Sequence, residues 1–212
     1  MQQVGKLFFW TAIVIASLYF YLDNAVAYLF GYRSERFGDS LFKNQIWFVT
    51  HIVGATFSLF LGPIQFWRNI RNRFIKYYRF AGKLYIIGSL AAGISALKLS
   101  FINDCIGCRY PLFILSVLFI LSTSLAWYSI KMRNIIAHKQ FMIRSYTCAL
   151  AFVFVRLYQI LPVDILYADI EDINIRRTVN EWMFSFVPLI LVEIFMIWIP
   201  SLRIKRNYEK PS

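Results

Sequence analysis

Apolar side chains in this chain gather into six long runs, and the polar positions fall in the gaps between them. The runs are Leu7–Leu22, Ile46–Phe66, Phe80–Ile102, Leu112–Ile130, Phe141–Leu161 and Met183–Ile199. Crossing about 30 Å of hydrocarbon takes about 20 mainly apolar residues at about 1.5 Å of rise each. Lipid offers no hydrogen bonds, so every backbone amide must be paired inside a helix or a closed barrel. The alternating ten-residue pattern of a barrel is absent. The pattern predicts an all-α, polytopic membrane helix bundle with six transmembrane helices, a single integral membrane domain over residues 1–212.

The polar gaps then orient the bundle. Lys6, the gap Arg68–Lys83, the gap Lys131–Lys139 and the tail from Arg203 carry 14 Lys or Arg and one acid, Glu209. The other three gaps carry 6 Lys or Arg and 9 acids. Short loops rich in Lys and Arg stay cytoplasmic, so both termini are expected in the cytoplasm and the protein in a bacterial inner membrane, multi-pass. Composition agrees: 59% hydrophobic, 19% aromatic and a mean hydropathy of +0.55 exclude an ordinary water-soluble domain. The net charge of +12 follows from the loop asymmetry and points to anionic lipid rather than to nucleic acid. Lys6, the first run and Ala25-Val26-Ala27 also have the parts of a signal peptide; the run is at the long end for one, and cleavage would leave five helices.

No linker or low-complexity tract divides the chain. Phe80-x-x-Lys83-x-Tyr85 and Phe141-x-x-Arg144-x-Tyr146 echo each other, either as a parallel repeat of two hairpins or as shared interfacial anchors of the aromatic belt. Pro63, after Gly62, and Pro188 each delete a helix hydrogen bond and are expected to bend their spans. Gly54, Gly88 and Gly93 with nearby alanines form narrow faces for close helix packing. The acidic gap Pro162–Trp182 reads as a solvated loop or a short surface helix.

Ionisable groups inside a bilayer are costly, which makes them the first candidates for function. His51, Lys98 and Arg156 lie four or five residues from the outer ends of their runs, roughly 6–8 Å deep by helix rise. Together, with no acid at that level inside the helices, they form a candidate ligand site for an anionic head group or a quinone oxygen. The competing reading has Lys98 and Arg156 snorkelling to phosphates and His51 satisfying a backbone carbonyl. Arg144 and Glu193 lie within reach of one another as an ion pair, or Glu193 serves as a proton relay. The two histidines, His51 and His138, sit at opposite membrane faces, so a haem held by both is excluded and only a single-His haem at His51 remains. Cys105-Ile106-Gly107-Cys108 in an outer gap fits a structural disulfide first, free thiols second and redox chemistry third. Cys148 reads as a small packing residue. No metal site, phosphate loop, nucleophile elbow or zincin motif stands out.

The elements His51…Gly62-Pro63-x-Gln65, Arg79-x-x-Gly82-Lys83-x-Tyr85, His138-Lys139-x-Phe141-Met142-x-Arg144-Ser145-Tyr146 and Arg156 resemble a family of predicted bacterial membrane proteins of the DUF2306 type, a domain of unknown function. The resemblance spans about residues 46–160. It implies an inner-membrane helical protein whose hallmark polar residues are His51, Gln65, Arg79, His138, Arg144 and Arg156, of which Gln65, Arg79, His138 and Arg144 form a cytoplasmic-side motif. The family pattern usually has a His before the residue matching Arg79; Tyr78 stands there, which argues against a metal or haem role at that position. The working expectation is an uncharacterised membrane protein that binds an anionic or quinone-like ligand near the outer leaflet. The alternatives are a haem- or quinone-linked redox protein, a small proton-coupled transporter using Glu193, and an accessory subunit of a membrane complex.

Overall fold

A computed structural model describes residues 2–26, 44–157 and 170–202 of the chain. Every regular element among the described residues is helical. Helix α1 spans Gln2–Tyr21 and runs into a π-helical turn, Leu22–Val26. Then come α2 (Gln45–Phe66), the short α3 (Arg68–Arg73), α4 (Ile75–Phe101), α5 (Ile106–Lys131) and α6 (Ile135–Leu157). Helix α7 (Ile173–Val192) continues through a π turn, Glu193–Trp198.

Four of these helices are long and apolar enough to cross a membrane: α2, α4, α5 and the continuous Ile173–Leu202. The apolar part of α1, Phe8–Tyr21, is shorter, and α6 has Lys139, Arg144 and Arg156 along its length. The helices also overrun the apolar runs. Helix α4 starts at Ile75 instead of Phe80, α5 at Ile106 instead of Leu112 and α7 at Ile173 instead of Met183. Lys and Arg are good helix formers, so loss of apolarity marks where hydrocarbon ends and not where hydrogen bonding stops. The end of the acidic gap is thereby part of α7, with Asp172 as its N-cap accepting from the amides of Asn174 and Ile175. Residues 27–43, 158–169 and the tail from 203 lie outside the described residues.

The bundle has two unlike ends. The basic end holds α3 and the tight α5–α6 turn; the disulfide end holds Cys105, Cys108 and the N-terminus of α7. Helices α2 and α4 touch backbone to backbone. A Cβ on Gly54 would stand 2.6 Å from the carbonyl oxygen of Gly88 and 2.8 Å from the amide nitrogen of Ala92. Beside that contact the buried Ser58 and Ser89 hydroxyls are hydrogen-bonded at 2.8 Å. Small residues at such crossings replace the hydrophobic drive that lipid cannot supply with close packing and interhelical hydrogen bonds.

The interior near the basic end is aromatic and polar at once. Tyr85, fully buried on α4, shares a hydrogen bond with Ser145 of α6 at 2.8 Å, and Ser145 another with Thr123 of α5 at 2.7 Å. Tyr146 is also buried. Neither tyrosine therefore belongs to an interfacial belt, although Phe80 in the same echo is 62% exposed. Trp10 stacks on Phe66 at 5.3 Å between ring centres and leans on Tyr146, which docks α1 against α2 and α6.

Pro63 does not end α2, which continues to Phe66. The missing N–H leaves the carbonyl of Leu59 without its helical partner, and the Tyr146 hydroxyl donates to that oxygen at 3.3 Å. Gly62 makes the approach feasible, because a Cβ there would collide with the Tyr146 ring. Tyr146→Phe should therefore cost about 1–2 kcal/mol, the usual penalty of an orphaned buried acceptor. The cost should shrink in a Pro63→Ala background, where the backbone supplies the donor. Denaturation midpoints of the four proteins in detergent check the coupling.

Candidate functional site

In the half of the bundle toward the disulfide end, α2, α4, α5, α6 and α7 enclose a cavity of about 280 Å³. Each helix contributes one stripe at helical spacing: Phe48, His51, Ile52 and Ala55 from α2, Ala92, Ala96 and Leu99 from α4, and Leu112, Leu115 and Phe119 from α5. Val155 and Arg156 come from α6, Glu181 and Ser185 from α7. From Phe48 to Ser58 the lining of α2 covers about 15 Å of helix rise, close to half of the hydrocarbon thickness.

The walls are largely apolar with a few polar groups, the usual composition of a small-molecule site. His51 Nδ1 lies 3.0 Å from the carbonyl oxygen of Ala92. A carbonyl only accepts, so Nδ1 carries the hydrogen and Nε2 of the neutral ring keeps its lone pair. Arg156 lies within electrostatic reach of both His51 and Glu181. Ser185, 1% exposed, has a hydroxyl with no hydrogen-bond partner among the described residues. That hydroxyl, in the cavity wall, is placed to hydrogen-bond a polar group inside the cavity.

Of the three residues expected to meet, His51 and Arg156 do line one cavity, whereas Lys98 does not. Lys98 is exposed on α4. It falls between Ala96 and Leu99, about 100° of helix rotation from the latter, and depth alone carries no information on rotation. The expectation of no acid at this level is corrected by Glu181. That residue fell in a loop by hydropathy but belongs to α7, four residues before Ser185. The i, i+4 pair Glu181 and Ser185, with Thr178 one turn earlier, is a helical stripe that could have been found in the sequence.

The four residues expected to form a cytoplasmic-side motif do not gather into one site. His138 Nδ1 donates to the carbonyl of Ala126 at 2.8 Å and pins the start of α6 to α5. Gln65 lies against Gly82, and its Nε2 is buried without a partner among the described residues. Tyr78 donates its hydroxyl to the Gln65 carbonyl at 3.3 Å and ties α4 to the end of α2. Arg79 is exposed. Arg144 forms a two-pronged ion pair with Glu193, Nε to Oε1 and Nη2 to Oε2, the latter at 2.9 Å. Its guanidinium also lies 5.1 Å from the Phe141 ring centre. Cys105 and Cys108 are joined in a disulfide, and Cys148 is a buried free thiol in the cavity wall. No cluster of three or more His, Cys, Asp or Glu side chains fit to hold a metal ion occurs among the described residues.

The family model of DUF2306, predicted membrane protein, matches residues 48–197. This chain belongs to that family. The match takes in the cavity lining from Phe48 onward and both partners of the Arg144–Glu193 pair, and reaches past the residue 160 limit of the sequence motifs. No curated protein and no solved structure matches the chain. It is thus a membrane protein of a family without an assigned reaction.

Proposed function

We propose that this protein binds the head group of a quinone-like amphiphile in the cavity of His51, Arg156, Glu181 and Ser185. In this reading six helices cross a bacterial inner membrane, both termini are cytoplasmic, and the cavity lies in the outer leaflet. The observation that carries it is a mostly apolar chamber with both kinds of hydrogen-bonding group at its polar positions. Arg156 donates to a carbonyl oxygen, while Nε2 of His51 and the Glu181 carboxylate accept from a hydroxyl. Ser185 does either. A head group that alternates between quinone and hydroquinone asks for both. Glu181 also offsets the charge of Arg156 within the lining, which favours a neutral head over a carboxylate or phosphate. The volume is roughly twice that of the ~150 Å³ engineered cavity that admits benzene, suited to one substituted ring rather than a haem. Glu193 is held by Arg144 and does not line the cavity, which speaks against a proton carrier there.

The test is binding of a short-tailed, tetrasubstituted benzoquinone to the purified full chain in nanodiscs, read by calorimetry. His51→Ala should weaken binding about tenfold, the loss of one buried hydrogen bond. Arg156→Met should cost as much or more, and Lys98→Ala should change nothing. Absence of binding to the unaltered protein, or equal losses from Lys98→Ala and His51→Ala, would overturn the reading.

A further inference from the structure

The Cys105–Cys108 disulfide lies next to that cavity without lining it. Asn103 lines the cavity, and its Oδ1 accepts the backbone N–H of Cys105 at 2.9 Å. On the other side, Cys105 Sγ lies 3.8 Å from the hydroxyl of Thr178 on α7, and Gly107 packs directly on the Thr178 side chain. Thr178, Glu181 and Ser185 follow one another along a single stripe of α7, so the sulfurs stand about one helical turn, roughly 5 Å of rise, beyond the Glu181 carboxylate. Cys105 is also the N-cap of α5, and the backbone N–H of Cys108 points to its Sγ at 3.3 Å. A helix N-terminus lowers the cost of a thiolate. The loop closed by the bond holds only two residues, so it constrains the unfolded chain little.

Resting on the quinone reading above, we infer that Cys105 and Cys108, when reduced, pass two electrons to the ring bound in the cavity, making this chain a membrane thiol–quinone oxidoreductase. The Cys105 thiol ionises and its thiolate adds to a ring carbon, forming a C–S bond; the displaced π electrons go to a carbonyl oxygen, which takes the proton that Cys105 released. The Cys108 thiol gives its proton to Glu181 and its sulfur attacks Cys105 Sγ. The S–S bond forms, the C–S bond breaks, and that electron pair returns to the ring. Glu181 hands its proton to the second ring oxygen. One dithiol and one quinone become one disulfide and one hydroquinone, with two electrons and two protons transferred. Cys148, a buried free thiol in the same wall, has no second cysteine beside it to complete such an exchange.

The experiment uses the full chain in nanodiscs, reduced anaerobically with a small dithiol that is then removed. The tetrasubstituted benzoquinone is added, hydroquinone is followed by absorbance, and free thiols are counted by maleimide mass tagging. The expected result is one hydroquinone formed and two thiols lost per chain. Cys105→Ser/Cys108→Ser should still bind the quinone and form none. Cys108→Ser should instead accumulate a ring adduct on Cys105, visible in the intact mass, and this holds even if the double variant folds poorly. Ser185→Leu, which fills the cavity, should slow turnover about tenfold or more through lost binding. Quinone bound without any hydroquinone from the unaltered protein would sink the redox step and leave the binding reading standing. Undiminished turnover in Ser185→Leu would place the reaction outside the cavity and sink it too. Failure of the quinone to bind at all would remove both.

Discussion

Gly54→Leu is expected to cost about 3 kcal/mol or more and to leave little folded protein in mild detergent. The nearest atoms to a Cβ at that position are backbone atoms, the oxygen of Gly88 at 2.6 Å and the nitrogen of Ala92 at 2.8 Å. Neither can turn aside as a side-chain tip would, so α2 and α4 must separate. Separation then breaks two further ties that depend on the same approach: the Ser58–Ser89 hydrogen bond and the His51–Ala92 hydrogen bond. Gly88→Leu should behave alike, since its Cβ would stand 2.7 Å from Phe57 Cβ and 2.9 Å from the Gly54 oxygen. Gly5→Leu is the control, because nothing lies within 4 Å of a Cβ there. Denaturant titration with circular dichroism ranks the three; equal stability of Gly54→Leu and Gly5→Leu would show that the crossing is looser than described.

The second large effect belongs to the Arg144–Glu193 pair. The two side chains are 22% and 26% exposed, so they are neither in water nor fully sealed from it. Removing one partner of a fully buried pair costs about 3–5 kcal/mol, because the other charge is left without compensation. Partial exposure lowers that, and about 2 kcal/mol is expected for Glu193→Ala or Arg144→Ala. The pair joins α6 to the π turn that α7 forms from Glu193 onward, five residues after Pro188. Arg144→Met with Glu193→Leu should recover most of the loss, since an apolar pair of similar volume carries no desolvation penalty. A double-mutant cycle on thermal midpoints measures the coupling. If the double variant is as unstable as the sum of the singles, the pair is not acting as a unit.

The sequence was most legible where a residue's identity fixes its cost in lipid. Arg144 and Glu193 were paired from depth and charge alone, because an unpaired ion in hydrocarbon is expensive whatever surrounds it. Gly54 and Gly88 were marked as packing residues by the absence of a side chain. Four spans were readable as apolar runs. Tyr85 and Tyr146 were not readable: a Tyr near a helix end suits an interface or a buried hydrogen bond equally, and only the arrival of Ser145 or the Leu59 carbonyl decides which. Glu181 was missed for a related reason. Hydropathy records which residues prefer lipid, and a polar residue on a helix that lines a chamber is indistinguishable by that measure from one in a loop.

By itself, the sequence determined that the chain is helical and built for a membrane, since backbone amides in lipid leave few other choices and side-chain transfer costs are local properties. It determined the family as well, through motifs that are strings of neighbouring residues. Tertiary structure alone decided the cavity: that His51 and Arg156 share it with Glu181 and Ser185, that Lys98 is turned away, and that the disulfide packs against Thr178 of α7. Those facts depend on how each helix is rotated about its own axis, and that rotation is set by contacts between residues far apart in the chain.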